Sequence, residues 1–181
     1  MNKYLLLLFL LVLINSYSQN KLNNNLKPIN NKVNKCKQEI DSLAELAYKT
    51  SVSYFRKNDF NNAIKYSLIE INARKQLPNR TRYKKALFNQ GLFLYRNKQY
   101  YKAINYYNIV IDSFSFDKKT LITYNQLGNV YKKLGDYYQS ENFYKKSLLN
   151  PELLSIKELF GNYINTAILY DYIETKEDLK K

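Results

Sequence analysis

The chain has 181 residues, a formal net charge of +14, no histidine and a single cysteine. The lack of histidine excludes Ser-His and Cys-His nucleophile pairs, and imidazole acid–base catalysis with them. It also excludes histidine-rich metal sites, and the lone cysteine excludes an intrachain disulfide and a cysteine-based zinc site. Lysine and arginine are scattered along the chain, which is typical of solvated faces, so specific binding of nucleic acid is not expected.

Residues 1–18 predict a secretory signal peptide. Lys3 supplies a positive start, Tyr4–Ile14 is an unbroken apolar run, and Ser16 and Ser18 lie at the −3 and −1 positions of the expected cut. The apolar run is too short for a transmembrane helix. We expect an exported protein, periplasmic or secreted, with no transmembrane segment after cleavage. Retention of the segment as an N-terminal anchor is the alternative.

Residues 19–37 form a polar lead-in that is rich in asparagine and lysine, with Pro28 in its middle. The segment shows almost no apolar periodicity and has too little apolar surface to order itself by burial. The composition predicts a flexible tether.

From residue 38 onward the apolar residues recur at helical spacing, and no strand pattern competes with them. Small residues recur at intervals of 40, 37 and 39 residues, at Ser51, Gly91, Gly128 and Ala167. A period of this length indicates a repeat array in which neighbouring helix pairs cover each other's apolar faces. The expected fold is all-α, with units at residues 38–78, 79–116, 117–151 and an incomplete 152–181.

The third unit carries a family resemblance. Its first helix places an aromatic, Leu-Gly and Tyr in order at Tyr124, Leu127-Gly128 and Tyr131, and Gly135-Asp136-Tyr137 follows as a turn. This pattern resembles the tetratricopeptide repeat (TPR), and the resemblance covers about residues 40–181. It implies a right-handed α-solenoid of stacked antiparallel helix pairs, about three and a half repeats long. The intervals exceed the usual ~34 residues of the family, and such longer repeats resemble arrays that precede histidine kinase, transcription-regulator or CHAT modules.

The last unit is begun but not finished. Residues 153–168 predict a long helix with apolar residues on more than one face, and residues 174–179 match the turn and the start of its partner helix. Without that partner, part of the apolar surface should be exposed. The unfinished repeat makes self-association a further expectation.

The resemblance implies that the first helices line a concave groove that holds a peptide or a partner helix. Carried over by alignment, the groove would present Arg56, Lys85, Phe88, Tyr95, Arg96, Asn125, Asn129, Lys132 and Lys133. Asparagine amides can hydrogen-bond a peptide backbone, and the cations suit an acidic partner. The alternative is that these are merely solvated residues of the first helices.

The chain also lacks a Gly-rich phosphate loop, because its four glycines are isolated from one another. We therefore expect a non-catalytic scaffold for protein–protein interaction, without cofactor or metal. One alternative is the N-terminal sensory part of a longer signalling or protease protein. Another is a basic module that binds acidic polymer or nucleic acid, for which binding would depend strongly on salt.

Overall fold

A computed structural model describes the backbone of residues 3–178 and, within it, the side chains of residues 27, 28 and 30–175. The described backbone is helical throughout apart from turns, which confirms the predicted all-α fold class. The chain divides into two compact units, Met1–Ser42 and Leu43–Lys181. The elements in chain order are α1 (Lys3–Arg56), α2 (Phe60–Lys75), α3 (Arg80–Arg96), α4 (Tyr100–Asp112), α5 (Lys118–Leu134), α6 (Tyr137–Ser147), a short 3-10 turn (Pro151–Leu153) and α7 (Ile156–Asp178).

The polar lead-in differs from expectation, because residues 19–37 continue helix α1 and Pro28 lies inside it. All side chains from residue 30 to residue 39 are exposed. An established helix adds each further residue at little cost, so a segment without apolar surface can still be helical. The signal peptide expected at residues 1–18 lies outside the described side chains and stays a prediction. In the described part of the chain, no helix combines the length and apolarity needed to span a membrane.

Polar side chains at four helix starts explain where the helices begin. Asp59, Asn79 and Asp136 each accept a hydrogen bond from the backbone N–H three residues later. Asp117 does the same and forms a capping box with Thr120. These bonds satisfy N–H groups that a helix start otherwise leaves unpaired.

A residue in the left-handed conformation ends the first helix of each of the first three pairs. Asn58 has φ of 59°, Lys98 has φ of 61° and Gly135 has φ of 81°. These positions follow the same 40- and 37-residue intervals as the small residues. Only glycine adopts this conformation without a steric penalty, so the third pair has the least strained turn.

Close contacts between paired helices depend on two glycines. A Cβ placed on Gly91 would lie 2.6 Å from the ring of Tyr107, and one on Gly128 would lie 2.4 Å from the ring of Tyr144. Both tyrosines are fully buried. These glycines let the paired helices approach closely, because the rings of α4 and α6 occupy the space that a side chain would take.

A buried lysine joins the second and third pairs. Lys84 on α3 donates to the carbonyl oxygen of Ser115, to Asp117 Oδ1 and to Thr120 Oγ1 at 2.9, 2.8 and 3.1 Å. Burial acts to raise the pKa of Asp117, but the hydrogen bonds from Lys84 and from the Thr120 N–H outweigh it and hold that pKa below its usual value. The loop before α5 is thereby attached to α3.

Helix α7 starts with a second capping box, in which Ser155 N–H donates to Glu158 Oε2 at 2.8 Å and the Ser155 hydroxyl lies 3.4 Å from the Glu158 N–H. Lys118 Nζ lies 2.7 Å from the same carboxylate. Burial opposes ionisation of Glu158, yet the Lys118 and Ser155 contacts prevail and lower its pKa to about 2.

The turn expected at residues 174–179 is wrong over the described residues, because α7 continues unbroken to Asp178. Leu179 lies outside the described residues. No glycine or proline interrupts the sequence there, so nothing local stops the helix. The expected exposed apolar surface is confirmed, since Phe160 is 66% exposed and Ile168 is 51% exposed.

Candidate functional site

Side chains on α1 from Leu43 onward, α3, α5 and α7 form what we call the first-helix face, because these are the first helices of successive pairs. Neighbouring first helices contact each other across it. Lys85 Nζ on α3 lies 4.8 Å from the centre of the Tyr48 ring on α1, and Lys119 Nζ on α5 lies 4.3 Å from that of Phe88 on α3. Cations on this face therefore rest on the aromatic rings of the preceding pair.

The first cavity on this side of the array has a volume of about 240 Å³. Three cationic, two acidic and one aromatic side chain line it: Glu45, Tyr48, Glu70, Arg74, Arg82 and Lys85. Arg74 Nη2 lies 3.1 Å from Glu45 Oε2. The lining carries a positive excess, which increases if either acid is protonated.

The surroundings of Glu70 in this cavity favour the protonated form of its carboxyl. Its side chain is buried, and this burial raises its pKa to about 7 although Arg74 and Lys85 oppose the shift. Arg74 Nε lies 3.9 Å from Glu70 Oε1, too far for a hydrogen bond to that oxygen. At neutral pH the carboxyl is therefore only partly ionised, and the cavity is suited to an anionic group.

The second cavity has a volume of about 510 Å³ and lies between the end of α5 and α7. Two lysines and no acid are among its lining residues, which are Lys132, Lys133, Leu134, Gly135, Tyr137, Ile168 and Tyr172. Burial, and then the neighbouring charge of Lys133, lower the pKa of Lys132. A negative group placed here would relieve the repulsion between the two lysines.

The two asparagines predicted to bind a peptide backbone instead bond within the fold. Tyr144 Oη donates to Asn129 Oδ1 at 2.8 Å, and Asn129 Nδ2 donates to Asn125 Oδ1 at 3.4 Å. Asn165 Nδ2 on α7 donates to the same Asn125 oxygen at 3.0 Å. Asn125 is buried and Asn129 is partly buried. These amides connect α5 to α6 and α7, and their expected role in holding a peptide stays a prediction.

Two aromatic residues of the predicted groove also belong largely to the interior. Phe88 is 8% exposed, and its ring centre lies 5.8 Å from that of Tyr107. Tyr95, expected at the surface, is partly buried against Tyr100, with ring centres 6.0 Å apart, and burial raises its pKa. Aromatic residues at these positions fill the contact between helices, which alignment alone does not distinguish from a groove surface.

The basic residues of the prediction remain accessible. Arg56, Lys85, Arg96 and Lys133 are exposed, and Lys132 is partly buried. The guanidinium carbon of Arg96 lies 5.6 Å from the ring centres of both Phe55 and Phe60. The structure thus brings Lys132 and Lys133 together in the second cavity and places Lys85 in the first, apart from them.

Sequence reasoning missed the contribution of the second helix α2 to the first cavity. Glu70 and Arg74 are four residues apart on α2 and share one side of it, a spacing that signals a side-chain pair. The family alignment assigns the groove to first helices only, so it leaves these two α2 residues out. Among the described residues, no group of three or more His, Cys, Asp or Glu side chains could hold a metal ion.

Comparisons with known proteins agree with this architecture. Residues 83–149 match the family model of the tetratricopeptide repeat. Among solved structures, the chain is similar to the crystal structure of the TPR domain of Arabidopsis FLU, with 23% identity and a TM-score of 0.58. That similarity covers 62% of this chain and 98% of the other. The comparison with curated proteins gave no match.

Proposed function

We propose that this chain, whose residues 83–149 match the tetratricopeptide repeat, is a non-catalytic scaffold whose first-helix face binds an acidic peptide or partner helix. Arrays of this family serve protein–protein interaction, and the helix pairs present one continuous face for it. The observation that carries the proposal is the pair of cavities with positive excess along that face.

The spacing of charge along the face supports an elongated partner with more than one acidic group. Lys85 belongs to the first cavity, while Lys132 and Lys133 belong to the second. The half-buried ammonium of Lys132 is poorly hydrated, so an anionic partner would gain more there than at a fully solvated lysine. The rings beside Arg96 offer an apolar surface next to a cation, which suits a partner with alternating acidic and apolar residues.

The proposal is tested by selecting peptides from a random displayed library on the full chain and measuring their affinity by fluorescence polarisation. Selected peptides should be enriched in Asp and Glu. Lys132→Gln combined with Lys133→Gln should weaken their binding by about tenfold or more, because two charge-assisted contacts are lost. Glutamine is preferred to glutamate because Lys132 is partly buried, and a carboxylate there would disturb the fold.

The matched control is the pair Lys65→Gln and Lys102→Gln. It removes the same charge from exposed positions on the second helices α2 and α4. If both double variants lose the same affinity for the peptides, only net charge matters. That result would favour a basic module that binds without a groove. A titration with salt separates the same alternatives, since nonspecific polyanion binding falls steeply as salt rises.

We further propose that the protein acts after export, in the periplasm or outside the cell. Support comes from the signal-peptide pattern of residues 1–18. Fusion of residues 1–40 to alkaline phosphatase, which is active only when exported, tests this proposal. We expect an active fusion whose N-terminus is Gln19. An active fusion that is not cleaved would indicate an N-terminal anchor. An inactive fusion would reject export.

A further inference from the structure

The outward side of α7 carries an apolar stripe. Asn162 and Leu169 are buried on the side that packs against the array. On the opposite side, Phe160, Ile164 and Ile168 follow one another at four-residue spacing and are 66, 41 and 51% exposed. Residues four apart lie one above another on a helix, so these three side chains form one continuous stripe.

A cationic residue lies near one end of the stripe and an acidic residue near the other. Lys157 lies seven residues before Ile164, and Asp171 lies seven residues after it. Seven residues are close to two helical turns, or roughly 10.5 Å along the axis, so both charges lie on the same side as the apolar residues. Lys157 and Asp171 are exposed, and neither forms an ion pair among the described residues.

The order of Lys157, the apolar stripe and Asp171 along α7 is complementary to a second copy of α7 only when the two helices run antiparallel. If two copies of α7 cross antiparallel at Ile164, Lys157 faces Asp171 of the partner subunit, and Asp171 faces Lys157 of the partner subunit. Phe160 then packs on Ile168 of the partner subunit. In a parallel pairing, Lys157 would face the same residue of the other copy, and like charges would oppose each other.

The surface beside the stripe allows two helices to approach closely. A Cβ placed on Gly161 would meet no atom within 4 Å, so the space over this glycine is open. Ala167 adds a second small side chain on the exposed side. Small residues reduce the separation at which packed helices meet, which is ~8–10 Å between axes.

We propose that a second copy of this chain docks on α7 through an antiparallel, two-fold contact centred on Ile164. The same surface is used on both copies, as a closed dimer requires. The two Lys157–Asp171 pairs set the orientation, and the apolar stripe supplies the buried area. Ile168 also lines the second cavity, so the dimer contact and a peptide at that cavity would share this side chain, and the dimer is tested without peptide.

The oligomeric state of the full chain tests the proposal. Sedimentation equilibrium over a range of protein concentrations should show a monomer–dimer equilibrium. Ile164→Glu should abolish the dimer. The circular dichroism spectrum should stay unchanged, because this side chain is 41% exposed in the single chain and a charge there can reach solvent. A monomer at every concentration, or a dimer that Ile164→Glu leaves intact, overturns the proposal.

Charge reversal tests the orientation. Lys157→Asp and Asp171→Lys should each weaken dimerisation by about tenfold or more, because each places like charges opposite one another twice. The double variant restores both pairs and should recover most of the affinity. Failure of the double variant to recover excludes the antiparallel register.

Cross-linking provides an independent readout. In a Cys36→Ser background, Ile164→Cys should form an intermolecular disulfide under mild oxidation, because the two copies of this position meet on the two-fold axis. Lys157→Cys should not, since its two copies lie on opposite sides of that axis. In a parallel pairing both positions would meet their own copies, so a disulfide through position 157 would show a parallel arrangement and refute the proposal.

Discussion

The contact between Gly128 and Tyr144 predicts that adding a single methyl group at position 128 destabilises the array. The new Cβ would lie 2.4 Å from two ring carbons of Tyr144, about 1 Å closer than ordinary van der Waals contact. The ring is fully buried and its hydroxyl donates to Asn129 at 2.8 Å, so it cannot swing into solvent. Either the two helices separate or the ring moves and weakens that hydrogen bond.

The magnitude follows from three contributions. Overpacking in a filled interior costs about 1–3 kcal/mol, and loss of the tyrosine hydrogen bond costs about 1 kcal/mol. Alanine in place of glycine inside a helix stabilises the helix by about 1 kcal/mol, which offsets part of this cost. We therefore expect Gly128→Ala to lower the free energy of unfolding by about 1–3 kcal/mol.

Gly161→Ala is the matched control, because Gly161 also lies inside a helix but a Cβ there meets no atom within 4 Å. It carries the gain in helix propensity without the overpacking and should stabilise the chain by up to about 1 kcal/mol. Urea unfolding followed by circular dichroism measures both variants, in dilute protein so that association through α7 does not contribute. The reasoning is refuted if Gly128→Ala is as stable as Gly161→Ala.

Three further predictions concern stability. Lys98 has φ of 61°, so Lys98→Gly should raise the free energy of unfolding by about 1 kcal/mol in urea titrations, and no gain would mean that this turn is unstrained. Burial raises the pKa of Glu70 to about 7, which makes the folded state less stable as pH rises from the unfolded pKa near 4.5 through 7. The Glu70→Gln variant should therefore gain stability relative to wild type across that window, and a constant difference between the two proteins would contradict the assignment. Lys84→Met leaves the Ser115 carbonyl and Asp117 without their buried donor and should cost about 1–3 kcal/mol, whereas Lys102→Met on an exposed surface should cost little.

The helix pairs could be predicted from sequence because each relies on local patterns that repeat. Small residues at Gly91 and Gly128 mark helix contacts, and Asp117 is of a residue type that favours helix starts and caps α5. Such features depend on a few neighbouring residues, so periodicity and capping rules are sufficient to find them.

Features that depend on contacts distant in sequence could not be predicted in the same way. One such feature is the hydrogen bond from Asn165 to Asn125, and another is the set of hydrogen bonds from Lys84 to Ser115 and Thr120. These bonds join residues that are 31 to 40 positions apart in the sequence. Alignment to the family placed Asn125 on the groove surface, but only the packing of α7 shows that it is buried. The helical lead-in also differs from the sequence prediction, because a segment without apolar periodicity can continue an established helix.

The tyrosine–glycine contacts described above have a consequence for how the array comes apart. Positions equivalent to Gly91 and Tyr107 in the first pair are Ser51 and Ser67, so the glycine–tyrosine contact of the later pairs is absent at this point of the first pair. Both serines are fully buried, and the Ser67 hydroxyl has no hydrogen-bond partner among the described residues. In an array where each pair is stabilised mainly by its neighbours, opening begins at the weakest contact and spreads one pair at a time. Amide hydrogens of α2 should therefore exchange before those of α4 and α6, and a partner held at the first cavity would slow exchange there first.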